Sequence, residues 1–180
     1  MMFRRFFSRK PTASKVAEAT AAAPAEQLFK PVLFSELTEL LAVAGLEVTE
    51  VSEGVLQTIV ADVVLRMQLP NEHHWLLVKA EFPVLPPGVD LGGAESALDD
   101  EQTDKILHLL IDATNEWNSR WFMPTAYVDR EADQWLIRLD CMFFIGSGLT
   151  ASQLKRMVLN AAEYMQKAMR ELPSLVAPSF

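Results

Sequence analysis

The sequence predicts an α+β domain: a largely antiparallel sheet with helices packed on it, in the order α-β-β-β-α-β-β-α. Two periodicities carry the prediction. Apolar residues alternate with polar ones across residues 55–69 and 135–145, the pattern of strands with one buried face. Over residues 106–121 and 154–172 they recur every three or four positions, the pattern of helices with one buried stripe. The strands fall in groups separated by turn residues, so hairpins and an antiparallel sheet are expected.

In chain order, residues 1–30 read as a flexible basic tail, and residues 31–180 as one α/β domain. Thr12 to Pro24 is rich in alanine and holds too little large apolar surface to bury. Ser35 stands as an N-cap before Leu37, Leu40, Leu41 and Ala44, and Gly45 stops that helix. Leu46, Val48 and Val51 suggest a strand, with a turn at Gly54. The 55–69 run reads as one strand whose odd positions, among them Val55, Ile59, Val63, Leu65 and Met67, face the core. Its even positions, among them Thr58, Asp62 and Arg66, face water. Pro70 and Asn71 turn the chain into a strand from Trp75 to Phe82. Residues 83–98 carry Pro83, Pro86, Pro87, Gly88, Gly92 and Gly93 and read as a long loop, of the kind that is often functional or mobile.

Asp99, Asp100, Glu101 and Asp104 suit the N-terminus of the next helix. Ile106, Leu109, Leu110, Ala113, Trp117 and Trp121 form its apolar stripe, and Pro124 ends it. Strands at 125–130 and 135–145 follow. In the second, Trp135, Ile137, Leu139, Cys141, Phe143 and Ile145 share one face, and Arg138, Asp140, Met142 and Phe144 share the other. That second face is charged at one end and apolar at the other. It is therefore the predicted partner-binding or dimer surface. Thr150 and Gln153 make a capping box. The last helix carries Leu154, Met157, Val158, Ala161, Ala162, Met165, Ala168, Met169 and Leu172 on one stripe, ended by Pro173. Burial of each large member stabilises by about 1.5–3 kcal/mol, so this helix must lie on something.

Half the residues are hydrophobic and 22% are charged, which is globular rather than disordered composition. Residues 1–30 hold six basic and two acidic residues, a net +4, and the remainder carries a net −12. An acidic body repels phosphate backbones, so no nucleic-acid partner is expected. The tail, with Phe3, Phe6 and Phe7 among arginines, allows a weak contact with an anionic membrane surface. No secretory h-region follows the basic start, and no stretch reaches the roughly 20 apolar residues of a bilayer span. With Cys141 as the only cysteine, no intrachain disulfide can form, and a cytoplasmic location is expected.

Catalytic and metal chemistry find little support. His73 and His74 point to opposite faces of a strand, and His108 has no Cys or His at helical spacing. No nucleophile motif surrounds any serine or Cys141. Gly146-Ser147-Gly148 lacks the third glycine and the lysine of phosphate-binding loops. It reads as a tight turn before a capped helix. No catalytic residue, metal or cofactor is predicted. The alternatives are a ligand sensor or enzyme with a pocket under the 83–98 loop, and an adaptor tethered to a membrane surface by residues 1–10.

Asn115-Glu116-Trp117-Asn118, then Ala126-Tyr127-Val128-Asp129, a hydrophobic strand, a glycine-containing turn and a long amphipathic helix resemble the YbjN family, described as bacterial sensory transduction regulators. The resemblance is best over residues 103–172 and extends from about residue 35. It implies a fold like that of type III secretion chaperones, no enzymatic activity, a protein partner and a possible homodimer. It makes Asn115, Trp117, Asn118, Tyr127 and Asp129 family-signature residues with structural roles. This chain departs from the family in its Gly-Ser-Gly turn, in Ala161-Ala162 and in the long segment after Phe82.

Overall fold

The computed structural model describes residues 32–70, 74–84, 100–131 and 134–176. In these the chain forms α1 (Phe34–Val43), β1 (Thr49–Ser52), β2 (Val55–Val60), β3 (Val63–Gln68), β4 (Trp75–Pro83), α2 (Asp100–Arg120), β5 (Thr125–Glu131), β6 (Gln134–Phe144) and α3 (Ala151–Val176). The strands make one antiparallel sheet in the order β1-β2-β3-β4-β6-β5. The α+β class and its antiparallel sheet stand as expected.

The 55–69 run is two strands rather than one. Ala61 and Asp62 both have positive φ (49° and 65°), as in the two-residue turns that suit hairpin twist. Val60 then pairs with Val63, and Leu56 with Met67. A two-residue turn pairs even positions with odd ones, so the inward parity flips across it. Leu56 and Thr58 are buried in β2, and Val63, Leu65 and Met67 in β3, while Ile59 is 66% exposed. Thr58 is accommodated because its hydroxyl donates to the Glu47 carbonyl at 2.7 Å.

Helix ends also differ in detail. Ser35 lies inside α1, whose N-cap is Leu33. The Leu33 amide donates to Glu36 Oε2 at 2.7 Å. At the other end the Gly45 amide donates to Ala42 O and the Leu46 amide to Leu41 O, both at 2.9 Å. This Schellman arrangement needs the left-handed Gly45, φ 76°. The Thr150–Gln153 capping box is present, with bonds of 2.9 and 3.3 Å. Pro173 does not end α3, which runs on to Val176. Burial of both Leu172 and Val176 holds that last turn against the core. In α2, Leu109 is exposed, and Trp121 lies beyond the helix and is half-exposed.

The helices share one side of the sheet. Helix α3 packs on β3, β4 and β6, α2 packs on β5 and α3, and α1 packs on α3. Between them lie Leu65, Met67, Leu76, Val78, Ile137, Leu139, Cys141 and the stripe Leu154, Val158, Ala161, Met165 and Leu172, all buried. Ala161 and Ala162 of α3 are both buried. Among the described residues, no helix is long and apolar enough to cross a membrane.

Candidate functional site

The other face of the sheet is covered by nothing among the described residues. Alternation dictates what stands on it. From β4 come Trp75, Leu77, Lys79 and Glu81, paired across the ladder with Phe144, Met142, Asp140 and Arg138 of β6. Tyr127 and Asp129 come from β5, Val64 and Arg66 from β3, and Ile59 from β2. All four predicted interface residues thus lie together, in the predicted polarity.

The middle of the face is ionic. Glu81 receives Arg66 Nη1 at 2.6 Å and lies 3.7 Å from Arg138 Nε. Arg138 also reaches Asp129 Oδ2 at 2.9 Å and ion-pairs with Glu131. Its Nε is buried and makes no hydrogen bond. Pairs this accessible to water stabilise by about 0–1 kcal/mol each, so their role is to set the register and charge pattern of the face. Tyr127 donates its hydroxyl to the Asp140 carboxylate at 3.3 Å. Burial and the neighbouring Asp140 carboxylate push the Tyr127 phenol up to about 12. Burial likewise raises the Asp140 carboxyl, against the opposing pull of Lys79, the Tyr127 hydrogen bond and Arg138. Cys141, on the inward face, is fully buried. Burial, then Asp140, pushes its thiol up to about 12, which makes it a packing residue rather than a nucleophile.

The ends of the face are apolar. Trp75 and Phe144 meet edge to face with ring centroids 5.2 Å apart. Met142 and Phe144 are 48% and 57% exposed. Phe144 leans over the turn that follows, where a Cβ on Gly146 would come within 2.7 Å of its ring. The 146–148 segment is the expected tight turn, closed by the Gly148 amide on Ile145 O at 2.9 Å. At the opposite corner Ile59 and Val64 stand side by side, both exposed. Between the ends runs a trough of about 650 Å³, lined by Val55, Val64, Arg66, Lys79, Glu81 and Arg138 among others.

The signature residues mostly brace the frame. Trp117 is buried and donates Nε1–H to the Pro124 carbonyl at 2.9 Å. Asn118 bonds the Ala126 backbone twice. These contacts fix the end of α2 to the start of β5. Tyr127 and Asp129 belong to the open face instead, and Asn115 is exposed on α2.

A second concavity, of about 430 Å³, lies away from this face, between the residues after α2 and the side of α3. Periodicity does not reveal it, because the helical spacing puts Trp121 on the buried stripe. The run Trp121-Phe122-Met123, placed after a helix end rather than inside one, was the available signal. The 85–98 part of the predicted loop, His73 and the basic tail lie outside the described residues. So do the ligand pocket and membrane contact expected of them. Among the described residues no three His, Cys, Asp or Glu side chains are grouped to hold a metal.

The YbjN family model, described as "Putative bacterial sensory transduction regulator", matches residues 34–173. The chain belongs to the YbjN family. The crystal structure of YbjN, a putative transcription regulator from E. coli, superposes with a TM-score of 0.61 at 16% identity, covering 82% of this chain and 96% of that one. The YbjN fold is therefore shared. The HopA1–SchA chaperone–effector complex is also similar, with a TM-score of 0.43, 14% identity and coverage of 79% of this chain and 94% of that one. So is an uncharacterized protein from Methanothermobacter thermautotrophicus, at 0.48, 16%, 79% and 98%. Both scores are too low to bear on function. No curated protein matches the chain by sequence.

Proposed function

We propose that this YbjN-family chain is a non-enzymatic protein-binding module, a cytoplasmic regulator or chaperone-like adaptor that docks its partner on the open sheet face. One observation carries the reading. The long central strand β6 turns Met142 and Phe144 to solvent beside an ordered band of ion pairs, with no described element over them. Exposed apolar ends around a patterned polar centre suit protein contacts, where the apolar groups supply affinity and the charges supply specificity. The family description as a regulator supports the same reading.

A second copy of the chain is one candidate occupant. Sedimentation velocity on the full chain and on Phe144→Glu, together with parallel captures from the native cell using both as bait, tests the proposal. The expected result is a wild-type dimer, or a captured protein, that Phe144→Glu loses while keeping the wild-type melting temperature. A monomer whose captured proteins are the same with both baits overturns it.

A further inference from the structure

One corner of the open sheet face is aliphatic and acidic, and the same chain carries a segment of matching chemistry. Val51, Ile59 and Val64 are 47%, 66% and 45% exposed there. Ile59 and Val64 are ladder partners across β2 and β3, and Val51 lines the trough together with Val55 and Val64. Contiguous aliphatic surface on an otherwise charged face marks a contact site.

The carboxylates on and beside β1 and β2 are not neutralised. Glu47, Glu50, Glu53 and Asp62 are exposed, and none makes an ion pair among the described residues. Glu50 accepts only the Gly54 amide, at 3.4 Å. No basic residue occurs between Lys30 and Arg66, and Arg66 is engaged by Glu81. The ionic middle of the face balances its charges, whereas this corner does not.

We infer that the chain's own segment Met1–Lys10 docks on this β1–β2–β3 corner, its phenylalanines on the aliphatic patch and its cations on the surrounding carboxylates. The segment holds Phe3, Phe6 and Phe7 among Arg4, Arg5, Arg9 and Lys10, and no acidic residue, so it complements the corner in both charge and apolarity. Its attachment point is near. The described chain begins at Val32, and only the ten residues of α1 and the connection 44–48 separate that point from β1. Residues 11–31 reach up to about 70 Å, farther than the roughly 40 Å breadth of a domain of this size. Tethering presents the segment at an effective concentration on the order of millimolar, so a modest patch is enough to hold it. An anionic membrane would attract the segment but repel the acidic corner attached to it. Met142 and Phe144 lie at the other end of the face, so the inference does not rest on the partner proposed to dock there.

A nitroxide on Ser8→Cys in the full chain tests the inference by NMR, since the chain's own Cys141 is buried. At low salt the amides of residues 49–53 and 58–64 should broaden more than those of residues 34–38, which lie nearer the segment along the sequence. High salt should remove the difference, as should Ile59→Arg and Glu53→Lys, while Met142→Glu should leave it unchanged. Ile59 and Glu53 are both exposed, and melting curves identify a variant that fails to fold, in which case the other decides. The inference is overturned if residues 34–38 broaden most, if nothing broadens, or if neither substitution has an effect. Broadening of a ¹⁵N-labelled chain by a nitroxide on an unlabelled one also overturns it, by placing the segment on a second copy. So does a chain that shows no selective broadening yet co-sediments with phosphatidylcholine–phosphatidylserine vesicles, which assigns the segment to a lipid surface.

Discussion

Asn118 and Ala126 are joined by two hydrogen bonds of 2.8 Å, the side-chain amide donating to the Ala126 carbonyl and accepting from the Ala126 amide. The side chain does for the outer edge of β5 what one residue of a neighbouring strand would do. Removing it leaves two backbone groups of a buried residue without partners. Asn118→Ala should cost about 2–3 kcal/mol, read as a lower urea midpoint at unchanged slope. Asn118→Asp keeps the acceptor alone and should fall between the two.

The Ala61-Asp62 turn offers the opposite sign. Ala61 adopts φ 49°, a left-handed conformation that asparagine tolerates better than alanine does. Ala61→Asn should stabilise by about 0.5–1 kcal/mol, measured by urea denaturation.

Ala161 and Ala162 leave little room for growth, since both are buried in the core cluster. Ala161→Leu should destabilise by about 1–3 kcal/mol through overpacking. An unchanged or raised melting temperature would mean that α3 is loosely packed at that position.

Tyr127 should ionise near pH 12 rather than 10, seen as a late absorbance phase near the top of an alkaline titration that Tyr127→Phe removes. The sign follows from linkage. Its folded pKa is raised, so the stabilisation is fully present below pH 10 and is lost as pH climbs towards 12. Asp140 is also raised, so the folded form holds its proton longer than the unfolded form does. Stability should therefore decline as pH rises through the carboxylate range, and Asp140→Asn should flatten that decline.

Cys141 should not react with a thiol reagent at neutral pH in the folded protein and should react fully in urea. Its thiol is fully buried and held protonated up to about pH 12. Rapid labelling of the native protein would contradict this.

Much of the architecture was legible because burial on one side imposes a period. β6 kept its parity for eleven residues, so the outward set Arg138, Asp140, Met142 and Phe144 could be read directly. The same reasoning failed at Ala61-Asp62. Nothing in that dipeptide announces a turn as Asn-Gly would, and alternation continues on either side of a hairpin whose two-residue turn reverses the inward parity. Pro173 misled for a related reason. Local propensity stops a helix there, but a buried Val176 one turn later favours continuing it. Phe122 was out of reach because its exposure comes from tertiary ties at Trp117, which no local pattern encodes.

The central ladder, from Trp75–Phe144 to Pro83–Leu136, joins the two halves of the sequence. All of β1 to β4 precedes Val84, and all of α2 to α3 follows from Asp100. A chain cut between those residues would yield two pieces, each ending its part of the sheet on an unpaired apolar strand whose natural mate is on the other piece. Each piece alone lacks the complete core, and together they carry every contact of it. The fold is thus built as two complementary fragments, and a split form should regain its structure only when both are mixed.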